Sequence, residues 1–125
     1  MSNNLPLEIL EEIEQYGGVD GLRGGLPQNK WIERVAKHYE ILSSPIRLQV
    51  LLTLNQGTLC VCVLKKITGC TDTMLSYHLS TLRRHKLISS KREKSFLKYF
   101  LTEKGKGVVN SVLYTIELQN NRSQE

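Results

Sequence analysis

The sequence predicts a mainly α-helical chain with one small β-hairpin, an α+β fold, and three observations predict it. Residues 71–86, TDTMLSYHLSTLRRHK, separate into two faces when wound as a helix. Leu75, Leu79 and Leu82 share one side at the i, i+4, i+7 spacing of a core-facing stripe, and Thr73, Tyr77, Ser80 and Arg84 line the other. The period then changes at once. Leu97, Tyr99 and Leu101 alternate with Lys98 and Phe100 as in a strand, and Lys91-Arg92-Glu93-Lys94-Ser95 reads as the tip of a hairpin. Two short helical segments, each stopped by glycine, precede the two-faced helix. Helix, turn, helix and hairpin in that order make a winged helix-turn-helix.

Each element has its own signal. Residues 7–15 form an amphipathic helix, with Ile9, Leu10, Ile13 and Tyr16 on one side and the glutamates on the other. The run GGVDGLRGG holds five glycines in nine residues and reads as a flexible or sharply turned connection. Residues 29–42 form a second helix whose apolar side is Trp31, Ile32, Val35, Ala36, Tyr39 and Leu42, with Trp31 as a core or dimer anchor. Ser44-Pro45 starts the third, a capping hydroxyl followed by proline at the first helical position, and Gly57 ends it. A fourth covers 61–68 and stops at Gly69; Thr102 caps the last, with Val109, Val112, Leu113 and Ile116 as its stripe.

Charge narrows the partner. From Arg83 to Lys106 there are nine Lys or Arg against Glu93 and Glu103, a local balance of +7. The first 20 residues carry five acids and no base, so −5 there leaves +10 on the rest of a chain whose total is +5. A basic face with an acidic segment held apart suits a polyanion. The two-faced helix then fits the major groove of double-stranded DNA, with Thr71, Thr73, Ser76, Tyr77, His78, Ser80, Arg83 and Arg84 at the contact. Lys91, Arg92, Lys94 and Lys98 would hold phosphate from the wing. An ordinary solvated face is the plainer alternative.

At 125 residues the chain has the length of one domain, divided as 1–27 (acidic helix and glycine-rich connection), 28–119 (winged domain with a C-terminal dimerisation helix) and 120–125 (polar tail). The apolar runs are too short for a bilayer, the N-terminus has no basic signal-peptide region, and three unevenly spaced cysteines make no disulfide scaffold. A reducing cytoplasm and no membrane partner are expected. No nucleophile has a spaced base and no glycine loop cradles phosphate, so no enzyme is expected. The first, second and last helices offer more apolar surface than so small a domain buries, which predicts a homodimer on a pseudo-palindromic operator with recognition helices about 34 Å apart. The alternative is that these stripes are purely intramolecular core.

Four motifs now stand in order across residues 38–104. LSSPIRL at 42–48 resembles the L-S/A-D/S-P-x-R-L opening of the ArsR/SmtB family of winged-helix repressors, and TLCVCVL at 58–64 is similar to that family's E-L-C-V-C-D-L metal box. LSYHL at 75–79 matches its V/I-S-x-H-L recognition helix, and Lys91-Arg92-Glu93 with Tyr99 and Leu101 looks like its wing. The resemblance implies a dimeric repressor that leaves its operator when a metal or metalloid binds. The chain also departs from the pattern. As(III) favours three thiolates and Cys60 and Cys62 supply two; the family's third position falls at Lys65. Residues 1–30 hold neither Cys nor His, and the last helix has no His, with Glu103 and Glu117 its only acids, so the family's alternative site there is expected to be absent. The wing has Lys94 where the family often has glycine.

Residues i and i+2 of a regular helix point about 200° apart, so Cys60 and Cys62 share a ligand only at an irregular helix start or by deforming it. Such a ligand would distort the unit that docks on DNA. Lys65 and Lys66, one turn on, are expected to favour the Cys62 thiolate. Cys70, past a helix of about eight residues and thus ~12 Å away, is not expected to join them within one subunit. Three readings of the pair stand: a site for As(III), Cd(II) or another thiophilic metal, a thiol redox switch, or two small buried apolar side chains. His78 is expected to pack and donate a hydrogen bond, and His38 and His85 to lie on the surface. A sequence-specific DNA-binding regulator is the conclusion; a protein-interaction module and a constitutive DNA binder without metal sensing are the rivals.

Overall fold

The computed structural model describes residues 4–123. They form two compact units, divided between His38 and Tyr39 and each described by itself. The first contains α1 (Leu7–Ile13), a 3₁₀ turn (Glu14–Tyr16), α2 (Gly18–Gly24) and the start of α3 (Asn29–Leu42). Of the flexible or sharply turned connection expected for the glycine-rich run, the sharp turn is present at its start, and the rest is helical. Gly17 (φ 84°) and Gly18 (φ 73°) occupy the left-handed region and reverse the chain after the 3₁₀ turn, and Gly21 brings the next turn against the Tyr16 carbonyl, where a Cβ would collide. No residue of α1 or α2 is buried.

In the second unit, α4 (Pro45–Leu54) starts as the sequence predicts: the Ser44 hydroxyl accepts from the Arg47 N–H at 3.3 Å, with Pro45 at the first position. α5 (Val61–Thr68) ends at Gly69, and α6 (Asp72–Arg84) begins on Thr71, whose hydroxyl accepts from the Met74 N–H at 3.2 Å. α6 closes in a Schellman turn. Leu87 N–H donates to Leu82 O at 3.0 Å and Lys86 N–H to Arg83 O at 2.9 Å, with Lys86 at φ 60° where glycine is usual.

A three-stranded antiparallel sheet follows, in the order β1 (Leu59–Cys60), β3 (Phe96–Leu101), β2 (Ile88–Glu93). β1 was not expected, since two residues carry no periodicity. The hairpin tip is also tighter than the sequence suggests. Lys91, Arg92 and Glu93 lie in β2, Glu93 pairs with Phe96, and the turn is Lys94-Ser95 with Lys94 at φ 60°. Thr102 caps α7 (Glu103–Ser123): its hydroxyl accepts from Gly105 N–H at 3.0 Å and lies 2.6 Å from the Lys86 carbonyl. Gly105 lies so close to the Leu87 carbonyl that a Cβ would clash, which seats α7 against the end of α6.

The core joins Val50, Leu51 and Leu54 of α4, Leu64 of α5, Leu75, Leu79 and Leu82 of α6, Leu87, Ile88, Tyr99 and Leu101 around the hairpin, and Val109 of α7. From α3 only Ile41 and Leu42 are buried; Trp31, Ile32, Val35 and Tyr39 of its apolar side are exposed. On α7 Val109 is buried while Leu113 and Ile116 are exposed.

Candidate nucleic-acid interface and cysteine pair

α6 divides as its sequence pattern requires. Leu75, Leu79 and Leu82 are at most 3% exposed, whereas Thr73, Ser76, Tyr77, Ser80, Arg83 and Arg84 are all exposed. Thr71 is exposed too, but its hydroxyl is committed to the Met74 N–H, so it places the helix start. Arg84 donates to the Thr81 hydroxyl at 3.3 Å, which itself donates to the Tyr77 carbonyl at 3.0 Å. His78 is half-buried and turns inward: its Nδ1 accepts from Arg47 Nε at 3.0 Å, leaving Nε2 as its donor.

Strand alternation sorts the wing cations onto two faces. Lys91 pairs with Lys98 across β2 and β3, while Arg92 pairs with Leu97 on the opposite side of the sheet. Two like charges face to face are unfavourable, and Glu93 offsets them at 3.7 Å from Lys91 and 3.5 Å from Lys98. Lys91 also lies 5.9 Å from the Phe100 ring centroid. Lys94 is exposed at the tip.

Cys60 and Cys62 come together at the irregular helix start that their spacing requires. Cys60 is the N-cap of α5 in extended conformation (φ −65°, ψ 146°), and its sulfur accepts from the Cys62 N–H at 3.3 Å. The two Cα atoms are 5.2 Å apart and the sulfurs are paired. As thiols the two separate in acidity. Hydrogen bonds from the Cys62 side chain and backbone lower Cys60, helped by the Val63 N–H and the Lys98 charge; the same side-chain bond raises Cys62. The helpful lysine is thus Lys98, opposite Cys60 in the β1–β3 register, and it acts on Cys60. The expected influence of Lys65 and Lys66 on Cys62 is not seen, and Lys65 is engaged with Asp72 at 2.9 Å. Cys70 is buried, and it lines with Cys62, Lys65, Lys66 and Gly69 one side of α5 along an open hollow of about 500 Å³. Among the described residues no group of three or more Cys, His, Asp or Glu is placed to hold a metal ion.

Sequence reasoning missed Arg47, Glu93 and the β1–wing link. Arg47 had a signal: a cation in the first turn of an otherwise apolar helix opposes the helix dipole and needs a partner. The link had none, because pairing of Cys60 with Lys98 exists only once β1 joins the sheet.

The sequence family described as "Bacterial regulatory protein, arsR family" matches residues 44–90, from the cap of α4 into β2. The structure is similar to the transcriptional repressor BigR from Xylella fastidiosa, with 33% identity over 74% of this chain and 91% of that one and a TM-score of 0.63. It is also similar to the homodimeric winged helix-turn-helix DNA-binding domain of Mb0332 from Mycobacterium bovis, a possible ArsR-family transcriptional regulator, with 25% identity, 81% and 94% coverage and a TM-score of 0.64. NolR from Sinorhizobium fredii is 27% identical over 73% and 93% of the two chains, with a TM-score of 0.61. No curated protein matches the sequence significantly.

Proposed function

This chain belongs to the ArsR family of bacterial regulatory proteins, whose fold is that of DNA-binding transcriptional regulators, and we propose that it is a homodimeric repressor selecting a pseudo-palindromic operator. One observation carries this proposal. α6 buries its leucines and leaves Thr73, Ser76, Tyr77, Ser80 and Arg84 exposed, beside a hairpin bearing Lys91, Arg92 and Lys94. Residues 28–119 act as the DNA-binding and dimerising part, with the acidic 1–27 appended. The Mb0332 domain is a homodimer, and the exposed apolar residues of α3 and α7 support the same assembly for this chain. Among the described residues no helix is long and apolar enough to cross a membrane.

The test is a duplex selected from a random library, bound by wild type and by Tyr77→Ala/Ser80→Ala. Each lost base-edge contact costs on the order of 1–3 kcal/mol of selective binding while the circular dichroism stays unchanged. Unchanged affinity would refute the recognition-face assignment. Binding that is salt-sensitive but indifferent to sequence would favour the protein-interaction rival.

The cysteine pair supplies the switch. In the reduced chain the two thiols give two electrons and two protons to hydrogen peroxide, which leaves as two waters, and the S–S bond forms. Cys60 is the attacking thiolate, its acidity raised by Cys62 and Lys98. A thiophilic ion such as As(III) or Cd(II) held by both sulfurs would act at the same place. The effect reaches DNA through β1, which ties Cys60 to the wing strand at Lys98. Duplex affinity measured with and without peroxide, As(III), Cd(II) and Zn(II) decides the matter. A response abolished in Cys60→Ser/Cys62→Ser supports the switch, and one that survives the double substitution rules it out.

A further inference from the structure

We infer that Arg47 is a positioning residue for the recognition row: its guanidinium, held between the end of α3 and the neutral His78 imidazole, fixes the side of α6 that carries Tyr77, and protonation of His78 releases it and weakens selective duplex binding. The inference rests on the DNA-binding function proposed above.

Arg47 is 9% exposed, and its guanidinium is held by a carbonyl and an imidazole. Nη1 donates to the Ile41 carbonyl at 3.2 Å, in the last turn of α3, and Nε donates to His78 Nδ1 at 3.0 Å. The guanidinium carbon lies 5.5 Å from the Tyr77 ring centroid, and that ring meets the His78 ring at 5.5 Å and 62°. With its backbone N–H on the Ser44 cap, one side chain spans α3, α4 and α6. A buried guanidinium needs its donors satisfied, and here two of the acceptors lie on other elements.

The bond to Nδ1 requires a lone pair there, so His78 is neutral with its proton on Nε2. Burial, and then the Arg47 charge, hold the imidazole below its ordinary 6.5. Protonation sets N–H against N–H and cation against cation. Among the described residues, the charge that bears on His78 is that of Arg47 of α4. β2, also packed on α6, carries Lys91, Arg92 and Glu93, with Glu93 paired to Lys91; on α6 itself Asp72 is paired with Lys65 and Arg84 is bonded to Thr81. Because the folded-state value is depressed, the unfolded chain takes up more protons below 6.5. The stability from this contact is complete above that value and is lost as pH falls toward the folded-state value. Any other histidine that gains charge strengthens phosphate attraction in acid, so the decisive readout is selectivity, not affinity.

His78→Asn places an amide oxygen near the Nδ1 position and does not titrate. Binding to the library-selected duplex and to its scramble is compared at about pH 7.5 and at a pH below the His78 titration point that NMR reads in wild type. Wild type loses roughly tenfold of its selectivity in acid, the effect of one charge-assisted hydrogen bond, and His78→Asn shows no such fall. In parallel, ¹⁵N NMR places the His78 titration below 6.5 in wild type, and Arg47→Gln moves it upward. A pH response retained in His78→Asn, or a His78 titration indifferent to Arg47→Gln, overturns the inference. If no duplex is selected at any pH, the DNA-binding proposal fails while the Arg47–His78 contact is judged by NMR alone.

Discussion

Lys86 and Lys94 both hold φ at 60°, a conformation that costs an L side chain about 1–2 kcal/mol. Each sits where glycine is the easier choice, Lys86 at the end of the recognition helix and Lys94 at the wing tip, and each adds charge beside the exposed α6 row. On the proposed DNA-binding reading, each position keeps a cation for phosphate at the expense of backbone comfort. Lys86→Gly relieves that cost but adds about 0.4–1 kcal/mol of freedom to the unfolded chain. The net expected gain is about 0.5–1 kcal/mol in denaturant unfolding, with weaker binding to any duplex. Lys86→Ala is the control and shows no gain; equal gains in Ala and Gly would rule out the strain argument. Little of this was legible in the sequence, although the departure from glycine at position 94 was visible there.

At the scale of the element, the wing is the part whose charges need three-dimensional sorting. Lys91 and Lys98 oppose each other and share Glu93 at 3.7 and 3.5 Å. Lys91 and Glu93 are exposed and Lys98 is only partly buried, so these pairs contribute about 0–1 kcal/mol to stability. Their larger expected effect is on the proposed DNA partner, because Glu93 would hold two cations back from phosphate. Glu93→Gln therefore binds duplex more tightly at low salt, and the dependence of log affinity on log salt steepens by about 0.9 for each lysine released. Fluorescence anisotropy across a salt series checks this, and an unchanged slope would show that neither lysine reaches the backbone. The hairpin itself was legible from its period-two pattern. The split of Lys91 and Lys98 from Arg92, and the third strand β1, were not, because both depend on register.

At the scale of the whole molecule, the apolar residues left in water bear on assembly. Leu113, Tyr114, Ile116 and Leu118 on α7 are each more than 40% exposed. Burial of such side chains contributes roughly 1.5–3 kcal/mol apiece. Leu113→Glu/Ile116→Glu is expected to shift sedimentation from dimer toward monomer and to weaken operator binding far more than twofold, since two half-sites no longer act together. A variant that still sediments as a dimer would place the interface elsewhere. Of the chain's +5 charge, the first unit (residues 1–38) carries −2 and the second (residues 39–125) +7, so attraction to a duplex is expected from the second unit.

The sequence by itself determined the helices of the winged unit, the caps at Ser44 and Thr102, and the face of α6 that is buried. These follow from interactions within about four residues, where spacing and local hydrogen bonding decide the outcome. It also placed Cys60 and Cys62 at a helix start. Only the tertiary structure decided what those residues meet. Arg47 reaches His78 across 31 positions, Cys60 lies opposite Lys98, and Gly105 abuts the Leu87 carbonyl. No local pattern encodes such meetings, because they exist only after buried leucines have brought distant segments into one core.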